Sequence, residues 1–356
     1  MDVMSLDRAI ELLKRLIATP SVSREESAAA DVVEAELSSL GFVTHRKLNN
    51  VWVEAREHNP LLPTILLDAH IDTVKPNASW QRNPFEPVIE QGRLYGLGSN
   101  DTGGSLVAMI AAFCRLSERE QPYNLILLAS AEEEVTGVGG VRAVLPELGE
   151  IDFAIVGEPT SLQPAVAEKG LMVLDCVARG KSGHAAREEG VNAIYEALPD
   201  IDWFREHCME RVSPLLGAVK MSVTGIEAGT QHNVVPDECR FMVDIRVNEC
   251  YQNVELLEFI RQNVKCEVTP RSTHLNSSAI DLAHPAVKRL VGMGKVPFGS
   301  PTMSNQAVMP FPTLKLGPGD SARSHTADEY ILLDEIGEAI EIYEKVLDNL
   351  IIDKNR

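Results

Sequence analysis

Three acid-bearing segments follow short apolar runs in this chain: Asp68-Ala69-His70-Ile71-Asp72, Glu132-Glu133-Glu134 and Gly157-Glu158-Pro159. In an extended segment residues two apart face the same way, so Asp72 can orient or polarise the ring of His70. Alone, a His-x-Asp pair is more often an exposed or structural feature. Three adjacent acids repel one another unless cations neutralise them, although a solvated loop tolerates them equally well. Gly96-Leu97-Gly98-Ser99-Asn100-Asp101-Thr102-Gly103-Gly104 is glycine-rich and precedes an apolar helix pattern, so Asp101 fits a helix cap. A phosphate loop is excluded, because the segment lacks a G-K-[ST] ending and its aspartate would repel phosphate. Glu158 and His325 are nondescript singly. As a set, two histidines and several strand-end carboxylates are the nitrogen and oxygen donors that zinc takes. A bridging carboxylate can hold two metals about 3.5–4 Å apart. An unbound carboxylate nearby can deprotonate a water.

The 33 basic and 52 acidic residues give a formal charge of −19, with no local basic cluster to offset it. Such a surface repels nucleic acid phosphates and anionic lipid, so neither partner is expected. The six cysteines (Cys114, Cys176, Cys208, Cys239, Cys250, Cys266) show no C-x-x-C spacing and fit reduced residues of a reducing compartment. Met1–Leu13 mixes acids into its apolar positions, unlike a signal peptide, and no apolar run approaches membrane-spanning length. A cytoplasmic location is the expectation.

The positioning elements are legible as patterns. Ser23-Arg24-Glu25-Glu26 has the form of a capping box, opening a helix that runs to Leu40 and stops at Gly41. Runs apolar on both faces at 64–67, 125–129 and 153–156, with a helix over 105–116, predict buried strands of an α/β sheet. Sites form at the carboxyl ends of such strands, so the acids should converge. From about Ala165 the pattern changes. Strands at 171–178, 219–223, 239–247 and 265–269, with helices at 192–198 and 254–264, follow the order of a ferredoxin-like unit. Helix patterns at 281–291 and 333–350 close the chain. The expected domains are 1–164 and 273–356, forming one catalytic domain, with 165–272 inserted.

Eight motifs in order resemble the M20 zinc metallopeptidases and deacylases: His70-Ile71-Asp72-Thr73-Val74, Gly98-x-x-Asp101, Glu133-Glu134, Gly157-Glu158-Pro159-Thr160, Gly183-His184, Asn233-Val234-Val235-Pro236, Asp244-Ile245-Arg246 and Ser324-His325. The resemblance implies a zinc-peptidase-like catalytic domain with a mixed sheet between helices and an inserted ferredoxin-like α+β dimerisation domain. It implies two zinc ions per subunit, with cobalt as a substitute, and Asp101 as the bridge. His70 and Glu158 would complete one metal, Glu134 and His325 the other, with Asp72 behind His70 and Glu133 as general base. His184 would stabilise the oxyanion in the partner of a homodimer. Arg246 would hold the substrate carboxylate, with Asn233 nearby; a strand-face salt bridge is the alternative for Arg246. The implied reaction is amide hydrolysis of a small N-acyl amino acid: N-acetyl-ornithine, N-acetyl-citrulline or an N-succinyl relative in arginine biosynthesis. Succinyl-diaminopimelate desuccinylase, dipeptidase or carboxypeptidase activity is the enzymatic alternative, and a catalytically silent binding protein the alternative from another class. The sequence departs from the family at Asp101-Thr102-Gly103-Gly104. It departs again at Gly299-Ser300-Pro301-Thr302-Met303-Ser304-Asn305, where members contact substrate.

Overall fold

A strand of the central sheet must be apolar at every position when helices cover both its faces, and the three runs noted above are such strands. The computed structural model of the chain describes residues 4–187 and 189–354. The first three residues of the Met1–Leu13 stretch lie outside them. The chain forms two compact units, one of Met1–Val166, Ile280–Phe298 and Ser304–Arg356, the other of Ala167–Ala279 and Gly299–Met303.

The first unit opens with α1 (Leu6–Ile17), α2 (Ser27–Ser39), β1 (Thr44–Lys47), β2 (Asn50–Glu54) and β3 (Thr64–His70). The hairpin β4 (Val88–Glu90) and β5 (Arg93–Tyr95) leads to α3 (Gly104–Ser117), β6 (Asn124–Ser130), the single turn α4 (Val141–Val144), β7 (Phe153–Val156) and β8 (Ala165–Glu168), within which the second unit begins at Ala167. The second unit holds β9 (Gly170–Arg179), β10 (Gly183–His184), α5 (Ala193–Glu206), β11 (Lys220–Ala228), β12 (Val234–Val235), β13 (Glu238–Val247), α6 (Asn253–Asn263), β14 (Glu267–Pro270) and β15 (Ser278–Ala279). The chain ends with α7 (Pro285–Gly292), β16 (Phe298–Ser300), β17 (Thr313–Lys315), β18 (Tyr330–Leu332) and α8 (Leu333–Leu347).

In the first unit the strand order β1-β2-β6-β3-β7-β17 is mixed. β1, β2 and β6 are antiparallel neighbours, whereas β6, β3, β7 and β17 run parallel. Alternate residues face opposite layers. Ile65, Leu67 and Ala69 of β3 join the core beneath α1, α3 and α8, while Leu66 joins Trp52, Ile126, Leu128 and Val156 on the other face. Burying one such side chain contributes about 1.5–3 kcal/mol. The parallel register aligns His70 with Ser130 and Asp68 with Val156, so β3, β6 and β7 all end at the same rim.

The second unit is a four-stranded antiparallel sheet in the order β11-β13-β9-β14, which with α5 and α6 on one face is the ferredoxin-like arrangement. Its extent differs from the expected 165–272. Residues up to 279 stay with it because Leu171 N bonds Leu275 O and Ser278 pairs with Glu168. Helix α5 does not stop before Pro199, as its sequence suggested. An interior proline costs about 3 kcal/mol, but Asp200 and Phe204 beyond it are buried, with Ile201 and Trp203 packed against the same core, which offsets that cost. The capping box at Ser23 does not form. Ser23 Oγ donates to Asp72 Oδ2 at 2.7 Å, and α2 begins at Ser27 without a side-chain cap. A charged acceptor outcompetes a neutral capping contact.

His284 gives the fold a testable pH dependence. Its Nδ1 accepts from Ala286 N at 3.3 Å, capping α7, and its ring lies 4.4 Å from that of Phe153. Burial lowers its pKa below the ordinary 6.5, against a smaller opposing effect of Asp281. A depressed histidine pKa means that its stabilisation is present above the unfolded value and is lost as pH falls through the folded one. His284→Asn keeps a capping side chain and removes the titration. Urea unfolding at pH 7.5 and 5.5 should show wild type losing more stability on acidification than the variant. An equal loss in both proteins would rule this out.

Candidate active site

The rim where β3, β6 and β7 end carries the acids. β3 delivers His70 as its last residue, β6 leads into Glu132-Glu133-Glu134, and β7 leads into Gly157-Glu158. His325 follows the short 3₁₀ turn Ser321–Arg323 and holds a left-handed backbone, φ +59°. Asp101 lies just ahead of α3, after Gly98, whose φ of +76° and 2.7 Å approach of Thr73 Cγ2 to any added Cβ exclude a side chain there.

Asp101 reaches both histidines, with Oδ1 3.3 Å from His70 Nε2 and Oδ2 3.6 Å from His325 Nε2. His70, Asp101 and Glu158 present ligand atoms within 4.8 Å of one another, and so do Asp101, Glu134 and His325. His325 Nε2 lies 3.0 Å from Glu134. Glu133 belongs to neither group, although its Oε2 is 4.0 Å from His70 Nε2. Glu132 turns away, accepting from Gly139 N at 3.2 Å.

Asp72 lies behind His70, and its charge acts on the ring while its carboxylate also has other partners. The close partner of His70 Nδ1 is the Asp72 main-chain oxygen at 2.8 Å, with the carboxylate at 3.5 Å. A carbonyl there makes Nδ1 the donor, so Nε2 is the ring nitrogen turned towards Asp101. The Asp72 carboxylate also accepts from Glu133 N at 3.0 Å, Glu134 N at 3.1 Å and Ser23 Oγ, tying the acidic loop to β3.

Charge crowding shows in the acidities. Burial and the charge of Glu158 push Glu133 well above the carboxylate range, and burial with the charge of Asp101 pushes Glu158 up to about 8. Burial pulls the His70 imidazole down, but Asp101, Glu133, Asp72 and Glu158 outweigh it and hold its pKa well above normal. Glu134 raises His325 to about 9. Burial opposes ionisation of Asp101, yet its contacts with His70, Ser324 and His325 keep its pKa low. Two histidines and the buried Lys315, whose charge acts on Glu158, are too few to balance these acids. Divalent cations among nitrogen and oxygen donors would balance them, so the donor set fits two metal ions.

Three residues that the motifs did not single out belong to this region. Glu329, 2% exposed, accepts from main-chain N–H groups of the Asp101 loop. Asp68, fully buried, accepts from Asn305 Nδ2 at 2.9 Å, and burial pushes its carboxyl up to about 6. Glu26 is buried and accepts from Asn49 Nδ2 at 2.9 Å and Glu132 N at 3.3 Å, bracing the acidic loop. Asp68 carried a signal, being an acid inside an otherwise apolar strand; for Glu26 and Glu329 nothing local in the sequence points inward. Asn305, in the segment that departs from the family, is held inside by Asp68 and Ser130 Oγ.

The remaining candidates lie in the second unit. β10 pairs with β12, setting His184 opposite Val234, and Ala185 N bonds Asn233 O at 3.0 Å, so His184 and Asn233 are neighbours on one ribbon. Within one chain Arg246 and Asn233 lie towards opposite ends of the sheet. The ribbon adjoins the sheet end where Arg179 pairs with Glu238, whereas Arg246 pairs with Leu171 at the other end. Asp244 accepts from Arg246 Nε at 2.9 Å and Nη2 at 3.1 Å. That is the strand-face ion pair.

The chain matches the Peptidase family M20/M25/M40 over residues 66–349 and belongs to that family. It is 31% identical to the acetylornithine deacetylase of Pectobacterium carotovorum over 92% of this chain and 94% of that protein. It is 30% identical to the succinyl-diaminopimelate desuccinylase of Alkalilimnicola ehrlichii over 70% of this chain and 72% of that protein. Among solved structures it shares its fold with aminopeptidase PepT from Bacillus cereus, with a TM-score of 0.78 at 18% identity, covering 98% and 99% of the two chains. The YXEP protein of Bacillus subtilis, a dinuclear metal binding peptidase, aligns with a TM-score of 0.75 at 16% identity over 96% and 97%. The protein is thus a metal-dependent hydrolase of the M20 type. Among the described residues no helix is long and apolar enough to cross a membrane.

Metal removal should be visible in stability. At free metal about 100-fold above Kd each ion adds about 2.7 kcal/mol, roughly 4 °C in Tm for a chain of this size. Chelated protein should therefore melt lower and take up two divalent ions per chain, with Asp101→Ala losing both and His325→Ala keeping one. Undiminished uptake by Asp101→Ala would exclude a shared ligand.

Proposed function

We propose that the protein hydrolyses the amide bond of an N-acyl amino acid, with Asp101 shared between two zinc ions. The reading is carried by the paired donor sets that meet at Asp101 while Glu133 lies beside them and belongs to neither. His70 and Glu158 would hold one ion, and Glu134 and His325 the other, with Asp72 fixing the loop behind them. Zinc, or cobalt in its place, supplies a Lewis acid for the carbonyl and increases the acidity of water. Glu133 takes the proton of the attacking water as the C–O bond forms, then delivers it to the leaving nitrogen as the C–N bond breaks. The products are a carboxylic acid and a free amino acid.

The favoured substrates are N-acetyl-ornithine, N-acetyl-citrulline or an N-succinyl relative of arginine biosynthesis, supported by likeness to acetylornithine deacetylases. Likeness to succinyl-diaminopimelate desuccinylases supports that activity as a second reading. Arg246 would take the substrate carboxylate. A guanidinium has five N–H donors, and Asp244 accepts from two of its nitrogens in the free chain. Asn233, on the ribbon that carries His184, would add a polar contact to the substrate from the partner subunit. A panel of acyl amino acids, read by released amine, separates these substrates from dipeptides. Glu133→Ala should keep its metal and lose most turnover, whereas Glu134→Ala should lose metal. The reverse pattern would displace the base by one residue.

His184 would donate a hydrogen bond to the oxyanion in the partner subunit of a cytoplasmic homodimer. Re-forming dimers from equal amounts of inactive His184→Ala and Glu133→Ala chains should then restore about a quarter of wild-type sites. Subunit exchange without recovered activity would sink the shared site.

A further inference from the structure

The strand pairing of β18 with β5 sets Tyr330 opposite Tyr95, which carries Glu329 alongside the segment that begins at Gly96. Gly96 N bonds the Glu329 main-chain oxygen at 3.0 Å, so the two segments run together up to the turn before Asp101. At that turn the Glu329 side chain closes the arrangement. Oε1 accepts from Asn100 N at 2.8 Å and Asp101 N at 2.9 Å, and Oε2 accepts from Gly98 N at 3.2 Å. The Asn100 side chain adds a second tie, donating to Asp320 O at 3.1 Å and accepting from Asp320 N at 3.1 Å.

Three main-chain donors converging on one buried carboxyl define the path of the chain at Asp101. Burial and the charge of Asp101 push the Glu329 pKa up to about 8 against the pull of those N–H groups, and once ionised its bonds are about twice as strong as neutral ones. Asp101 differs from every other member of the two donor sets because it alone belongs to both. A shift of its main chain therefore displaces a ligand of both ions, whereas a shift of Glu158 or His325 displaces a ligand of one. We propose that Glu329 is the positioning residue of the shared ligand and that it sets both metal positions together. This rests on the two-ion reading above.

The test uses the full chain, stripped by chelator and titrated with zinc against a chromophoric competitor. Glu329→Gln preserves shape but loses the charge and turns an NH₂ towards a main-chain N–H. Both zinc affinities should fall about 10–100-fold, as when partners behind a ligand are removed. Asp200→Asn is the control. Asp200 is a buried carboxylate of the second unit that accepts from Lys265 N at 3.1 Å and Cys266 N at 2.8 Å, so its loss should lower stability and leave both affinities unchanged. Glu329→Asp keeps the charge on a side chain one methylene shorter and should weaken both ions less than Glu329→Gln; it carries the test if the glutamine variant does not fold. Wild-type affinity at either position in a folded Glu329→Gln or Glu329→Asp protein would overturn the proposal, as would an equal effect of Asp200→Asn. A wild-type chain that takes up fewer than two zinc ions would overturn the two-ion reading itself.

Discussion

The concentration of buried negative charge at the carboxyl ends of β3, β6 and β7 is the constraint on which the rest of this molecule depends. Like charges 4 Å apart at an effective dielectric near 20 cost about 4 kcal/mol, and several acids here lie close together with little solvent. The protein removes part of that cost with main-chain donors. Asp72 takes two N–H groups and a serine hydroxyl, and Glu329 takes three N–H groups. Asp101, Glu133, Glu134 and Glu158 have two histidines and the buried Lys315 against four acids, which is why the donor set suits further cations.

The central sheet makes that concentration possible. Parallel strands buried on both faces have few conformational alternatives, because sliding one by a residue would turn its core side chains towards the wrong layer. The fixed register aligns His70 with Ser130 and Asp68 with Val156, bringing the loops that follow to one place. The N-terminus of α3 also lies just beyond Asp101, where the helix dipole favours negative charge. Short ties then lock the loops to one another: Asp72 joins β3 to the acidic loop, and Glu26 braces that loop from the start of α2.

The comparisons divide along the same line as the chemistry. The curated relatives include deacetylases and desuccinylases, while the structural neighbours include an aminopeptidase and a dinuclear metal binding peptidase. All of those names describe cleavage of an amide bond or the fold that supports it. What varies among them is the group on each side of that bond, and a single pocket contact can decide between such groups. In this chain Asn305 is committed to Asp68 and Ser130.

The sequence determined the buried strands, because their hydrophobicity on both faces is a property of the run itself, and it determined the strand-end acids, because charge adjoining such runs has no solubility purpose. Family order added Asp101, His325 and the division of Glu133 from Glu134. Tertiary structure decided whatever depended on a partner distant in the chain. Ser23 reads locally as a helix cap, yet the charged Asp72 carboxylate 49 residues away captures its hydroxyl. The helix pattern closes at Leu198, yet the helix runs on through Pro199 because side chains beyond it are packed against the core. Glu329 looks like one more surface acid, yet the pairing of β18 with β5 sets it under the main chain of a loop more than 200 residues earlier. Asn233 follows no local signal towards His184, and a two-strand ribbon places it there while the register of β13 holds Arg246 at the other end of the sheet. Local patterns encode burial and propensity, but which donor meets which acceptor is fixed only when the chain closes on itself.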